Sequence, residues 1–452
     1  MTNPLLQSFN TKYQSAPFAE IKEEHYLPAF KELIDQSLQE IQEITQNPET
    51  PTFENTIEAL AYSGEQLDVV SNIFFNLNSA DTNDEIQQIA QEVSPLLTEF
   101  ASKISQNEQL FSFFNKVYDE KDHYSLNEEQ KMLLEETYKG FVRNGALLND
   151  EKKEQLKNIN IELSKKSLQF GQNVLAATNQ YYKHLTNKED LAGIPEAILA
   201  QYEEEAKERN LEGYVITLQF PSLLPVLTYA ENRELRKELA IANGKKSFDG
   251  GEFDNQNLIK ELVQLRQEKA QLLGYKSFAD YVLEERMAKS PQKVLEFLNE
   301  LLTKAKPFAQ KDVEELSVLA KADGITEMQS YDHAYYAEKL RKQKFDFNDE
   351  ELKPYFQLDK VQEAVFGLAG KLFGLEFVET TDIQKYHADV KTYEIFERCE
   401  TRDNRYEIEN VESLETRNPE LGTQFKALLY ADYHPRKGKR AGAWMTSFKN
   451  QY

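Results

Sequence analysis

The 452 residues carry 77 acidic against 53 basic side chains, a formal net charge of −24. Such a surface repels phosphate backbones and anionic lipid, which argues against nucleic-acid and membrane-surface partners. Apolar residues make up 40% of the chain, enough for a sizeable core, and the length exceeds what one core usually organises, so two or three lobes or one elongated helical assembly are expected.

The N-terminal stretch MTNPLLQSFNTKYQSAPF has no basic region followed by an apolar run, so no secretory signal is read there. No apolar stretch approaches a membrane span. The single cysteine, Cys399, excludes an intrachain disulfide framework and fits a reducing compartment. A soluble, cytoplasmic protein is expected.

Helical periodicity then dominates. From Pro51 to Leu77, Ile57, Leu60, Leu67 and Phe74 fall on one face. Leu156, Ile159, Leu163 and Phe170 form a second stripe, and Leu258, Leu262, Leu265 and Leu272 a third, which Gly274 stops. In SPQKVLEFLNELLTKAKPFAQKDVEELSVLAKADG, Ser290 is a candidate cap with Pro291 at the first helical position. Val294, Leu298, Leu301 and Ala305 recur at the spacing of a buried face, a kink is expected at Pro307, and Gly324 is a stop. No repeat of fixed length occurs, so a regular solenoid is not supported.

The texture changes near residue 389. Asp389 to Phe396 (DVKTYEIF) and Phe425 to Tyr433 (FKALLYADY) read as strands, separated by a heavily charged insertion from Glu397 to Gln424. The expected fold class is mainly α, with the start of a small β-sheet near the C-terminus. Its layout is an N-terminal helical region over 1–220, a helical part over 221–388, and the incomplete start of a mixed α/β subdomain over 389–452.

Chemistry-bearing motifs are few. The histidines are His25, His123, His184, His333, His387 and His434, and none has another within five residues, so neither H-E-x-x-H nor a zinc-finger spacing occurs. His387 with Asp389, and Asp432 with His434, are more often strand-end pairings than metal ligands. Cys399 lies in the charged insertion, which disfavours a cysteine–histidine nucleophile, and no G-x-S-x-G or phosphate-cradling glycine loop is present. Tyr335 and Tyr336 read as core aromatics and His333 as a hydrogen-bonded structural histidine. One segment stands out. In YADYHPRKGKRAGAWM, Arg436, Lys437, Lys439 and Arg440 surround Gly438, and the only tryptophan, Trp444, follows. It reads either as a solvated turn or as an anion-recognition element, since arginine forks match carboxylates bidentately.

That segment resembles the stretch shortly before the catalytic helix in the thimet oligopeptidase family of zinc peptidases, bacterial oligopeptidase and peptidyl-dipeptidase branch. TFENTIEALAYSGEQLDVVSNIFFNLNSADTNDE, RNGALL (Arg143 to Leu148), PVLTYAENRELRKEL, LLGYKSFADYVLEERMAKSP and YDHAYYAEKLRKQKFDFNDEELKPYFQLDKV are similar to further family segments, in the family's order. The resemblance covers about residues 4 to 396 and 425 to the end. It implies an almost wholly helical ellipsoid split by a deep channel, a zinc ion held by H-E-F-G-H and a downstream glutamate, and hydrolysis of short unstructured peptides by a monomer. Tyr430, Asp432, Arg436, Arg440 and Trp444 then become candidate substrate-binding residues. The zinc motif has no counterpart among these 452 residues, so no catalytic or metal-binding residue is assigned. The chain alone is expected to bind no zinc, to be inactive, and to associate through exposed apolar surface. The alternative is a non-catalytic helical peptide-binding protein.

Overall fold

A computed structural model describes residues 3–345, 351–398 and 423–449, with the backbone alone at 417–418. They divide into two compact units: Glu23–Leu340 with Lys437–Tyr452, and Met1–Lys22 with Arg341–Arg436.

The first unit is a succession of helices: α1 (Glu23–Gln46), α2 (Ala59–Tyr62), α3 (Glu65–Ala80), α4 (Asp84–Ser105), α5 (Glu108–Asp119), α6 (Glu128–Arg143) and α7 (Asp150–Gln180). Asparagine starts several of them. Asn83, Asn107, Asn127 and Asn149 accept hydrogen bonds from the backbone N–H groups of Ile86, Leu110, Gln130 and Lys152, satisfying donors that the helix itself leaves unpaired. The stripe expected from Pro51 to Leu77 is broken into a π-helical turn (Phe53–Glu58), α2 and α3, with Gly64 between them at φ 75°. Ile57, Leu67 and Phe74 are nevertheless buried, because the break turns the chain without rotating the apolar face outward. Helices α1, α5 and α6 enclose a core of Ile41, Ile44, Phe53, Phe114 and Phe141.

Two short antiparallel strands follow, β1 (Tyr182–Leu185) and β2 (Tyr214–Thr217), on either side of α8 (Glu196–Glu208). With α9 (Phe220–Tyr229) and α10 (Arg233–Gly244) they form a second core around Tyr202, Ile216 and Leu239. The sequence reading anticipated no strand there. Helices α11 (Gln256–Leu272), α12 (Phe278–Leu283), α13 (Pro291–Ala322) and α14 (His333–Phe345) complete the order, with α11 packed on α7.

Ser290 caps α13 with Pro291 in its first turn, and the helix ends before Gly324 at φ 85°, as the sequence indicated. Pro307 lies inside this helix, which runs unbroken from Pro291 to Ala322. One expectation fails here: the stripe expected to be buried is open, with Leu298 51% exposed and Leu301 48%. Only Leu316 and Ala320 of α13 are buried, against Tyr336 of α14. Periodicity marks a face as apolar but does not supply the element that covers it.

The second unit holds α15 (Leu358–Phe373) and the strands β3 (Leu375–Thr380), β4 (Lys391–Arg398), β5 (Arg417–Asn418) and β6 (Thr423–Ala431). The sheet is antiparallel in the order β3-β4-β6-β5. The two expected strands pair in the register Lys391↔Ala431 and Tyr393↔Leu429, with a slip between Ile395 and Phe396. Strand β3 is an addition; Phe366 of α15 stacks on its Phe377 at 4.2 Å. The ends of the charged insertion, Glu397 with Arg398 and Thr423 with Gln424, are ladder residues, while Cys399 and the rest of 399–416 and 419–422 lie outside the described residues. The N-terminal segment covers the sheet: Tyr13 stacks on Phe425 at 3.7 Å and Lys12 pairs with the buried carboxylate of Glu394.

Candidate functional site

The basic segment is divided between the units. Tyr430, Asp432 and Arg436 belong to the sheet-bearing unit, Arg440 and Trp444 to the helical one. Tyr430 stands at the end of β6. Its ring meets Phe18 edge-on at 6.1 Å, and burial pushes its hydroxyl up to about 12 against the opposing effect of a hydrogen bond with Ser15. Just past the strand, Arg436 clamps Asp432 with two parallel hydrogen bonds of 2.9 and 2.8 Å, and Tyr386 donates to the same carboxylate at 2.9 Å. Both partners of the clamp are close to buried. This bidentate arginine–carboxylate pair is made inside the chain and fixes the turn after β6.

Gly438 sits against the connection between α3 and α4. Thr82 donates its backbone N–H to Gly438 O at 2.8 Å, Arg440 donates its own to Ser79 O at 2.9 Å, and Asn179 reaches Lys437 O at 2.8 Å. A Cβ on Gly438 would lie 2.5 Å from Thr82 O, so glycine is required by space. The Arg440 guanidinium rests over Gly171 of α7, where a Cβ would come within 3.2 Å of Nη2. Arg440 and Trp444 are both exposed. The sequence did not reveal Tyr386, Thr82 or Asn179. Each holds the segment by a contact remote along the chain, and no local spacing signals it.

The other family-like stretches interlock within the helical unit. Arg143 of RNGALL pairs with Glu284 and donates to Tyr275 Oη at 3.2 Å and Tyr281 O at 2.7 Å, which joins it to LLGYKSFADYVLEERMAKSP. Arg233 and Arg236 of PVLTYAENRELRKEL grip Asp332 of YDHAYY, at 2.8 and 2.9 Å. Asp332 is fully buried. Burial alone would raise its carboxyl, but hydrogen bonds from Arg233, the Gln329 N–H and Arg236 outweigh it and hold it below the usual range. Tyr336 is a core residue and Tyr335 stacks under Arg236 at 4.2 Å, in keeping with their reading as structural aromatics.

Among the described residues no three His, Cys, Asp or Glu side chains are grouped within reach of one cation. His184 Nε2 lies 2.6 Å from Glu212 O, and His387 Nδ1 accepts from the Asp389 N–H at 3.2 Å, both local contacts. No helix among the described residues is long and apolar enough to cross a membrane.

Residues 30–153 match the N-terminal domain of neurolysin and thimet oligopeptidase, and residues 226–408 match peptidase family M3. The chain is 33% identical over 451 residues to oligopeptidase A of Escherichia coli K12, covering 98% of this chain and 62% of that protein. It is 35% identical over 452 residues to dipeptidyl carboxypeptidase of the same organism, at 99% and 63%, and 32% identical over 456 residues to a probable cytosolic oligopeptidase A of Arabidopsis thaliana, at 98% and 61%. It therefore spans less than two thirds of the length of each relative. With both regions matched in the family's order and both kinds of relative aligned along nearly the whole chain, the protein belongs to peptidase family M3, on the branch of oligopeptidase A and dipeptidyl carboxypeptidase.

Proposed function

We propose that this chain forms the peptide-binding shell of a zinc-dependent oligopeptidase or peptidyl-dipeptidase acting on short unstructured peptides. The observation that carries the reading is the alignment of 98% of the chain with oligopeptidase A and 99% with dipeptidyl carboxypeptidase. Within the basic segment, Asp432, Arg436 and Tyr430 hold the end of β6, and the exposed Arg440 and Trp444 meet substrate: a guanidinium for a carboxylate or backbone carbonyl, an indole face for an apolar side chain. The working protein is a cytoplasmic monomer with no nucleic-acid or membrane partner, in line with the acidic surface.

Members of the family are zinc metallopeptidases. The donors present here do not fit a zinc centre, since neither the histidine spacing nor any grouping of three donors among the described residues supplies one. No hydrolytic step is assigned to these residues, and the 452-residue chain by itself is proposed to bind peptides without cleaving them.

A fluorescent pentapeptide titrated against the chain tests this by anisotropy. Saturable binding that Arg440→Ala and Trp444→Ala each weaken several-fold, with no release of a quenched fluorophore, is expected. Absence of binding removes the peptide-shell reading, and chelator-sensitive cleavage removes the non-catalytic one.

A further inference from the structure

A cavity of about 570 Å3 opens in the helical unit between α4, α7, the end of α6 and α11. Its size suits a small-molecule site, with room for more than a lone ion. The composition of its lining is unusual for this protein. Lys269 is the only charged residue on it, and no carboxylate faces it, in a chain of net charge −24.

Lys269 is half-buried and has no carboxylate partner among the described residues; the Tyr281 ring, 5.6 Å away, is the contact its ammonium makes. Burial, and then the nearby Arg143 guanidinium, pull that ammonium below the usual lysine range, so an anion beside it would be stabilising. Arg143 offers no second cation, because its guanidinium is taken by Glu284, Tyr275 and Tyr281 O.

The neutral donors sort in the same way. The hydroxyls of Thr98 and Ser102 donate back to the carbonyls of Ser94 and Thr98 at 2.8 and 2.9 Å and are spent. Asn160 and Ser167, on α7, have no protein partner among the described residues and face the cavity. Leu97, Ala101 and Leu163 add an apolar wall. One cation, an unspent amide, an unspent hydroxyl and an apolar wall match a monoanion with an organic body. A phosphate dianion would need a second positive charge to offset its desolvation.

We propose that this cavity binds a small organic carboxylate of about dipeptide size, Lys269 pairing with the carboxylate and Asn160 and Ser167 hydrogen-bonding the rest of the molecule. The chemistry is shared by free organic acids and by the C-terminal end of a peptide, and the site stands whether or not the peptidase reading holds.

The test is calorimetric titration of the intact chain with N-acetyl-dialanine, its C-terminal amide, acetate and inorganic phosphate. The acid is expected to bind, with its amide weaker by about tenfold or more, the worth of one charge-assisted hydrogen bond, and with acetate weaker because it keeps the carboxylate but lacks the body that Asn160 and Ser167 would hold. Lys269→Met should lose about as much, and Asn160→Ala a smaller, separate factor. The Asn160 side-chain amide resonance should shift with the acid, and with the amide only at correspondingly higher concentration, which locates the ligand without relying on a variant. Equal binding of acid and amide, tighter binding of phosphate or acetate, unchanged binding by Lys269→Met, or no heat with the acid would each overturn the proposal.

Discussion

Replacing Gly438 by alanine tests how the basic segment is held. The new Cβ would sit 2.5 Å from Thr82 O and 3.1 Å from Thr82 N, far inside ordinary contact, and both atoms are backbone that cannot swing aside. Thr82 is itself fixed, because Asp81 donates to Leu77 O at 2.8 Å to close the end of α3. Relief must come from the segment lifting off. That sacrifices Thr82 N–H to Gly438 O, Arg440 N–H to Ser79 O and Asn179 to Lys437 O. At about 0.5–1.5 kcal/mol net per bond the loss is roughly 1.5–4.5 kcal/mol. Because detachment is a local opening, that figure is also a ceiling: the helical core need not unfold to escape the clash. Native-state hydrogen exchange at Thr82 and Arg440 reads it directly, as a loss of protection of about tenfold to a thousandfold, with core amides such as Phe74 unchanged. Trp444, the only tryptophan, gives a second signal through its emission. Wild-type protection at both amides in Gly438→Ala would refute the reasoning.

Asp332→Asn should cost the helical unit about 3–5 kcal/mol in urea unfolding, because it leaves Arg236 buried without its counter-charge. Since Asp332 titrates lower in the folded chain than in the unfolded one, its contribution is intact above the unfolded value of about 3.9 and fades as pH falls through the folded one, so the difference between wild type and variant should narrow only in strong acid. Within α13, Leu316→Ala should destabilise by about 2–5 kcal/mol while Leu298→Gln stays within about 0.5, a contrast that thermal melts of the two variants resolve. Gly140 lies inside α6 with nothing within 4 Å of a built Cβ, so Gly140→Ala should raise stability by about 1 kcal/mol in the same urea assay.

The helical character was legible because caps and periodicity are local. Ser290, Pro291, Gly274 and Gly324 punctuate the chain where the structure begins and ends helices, since a cap needs only its own few residues. The strands at 391–398 and 423–431 were legible to within two residues for the same reason: β-branched and aromatic alternation is a local signal. Strands β1 and β2, of four residues each, are too short to carry a period, and β3 follows α15 after a single glycine.

The candidate site divides along the same line. Charge and residue type picked out Arg436, Arg440 and Trp444 and suggested a fork for an anion, and the family resemblance added Tyr430 and Asp432. Only the tertiary structure decided that the fork of Arg436 is occupied by Asp432, four residues before it, that Tyr386 completes that clamp from a distant loop, and that Arg440 is carried instead on α7. It also decided that Leu298 and Leu301 lie open while Leu316, on the same helix, is enclosed. The physical reason is common to these cases. A sequence fixes what each side chain can do and which face of its own element it occupies. Which partner it meets depends on contacts between residues far apart along the chain, made only when the elements pack.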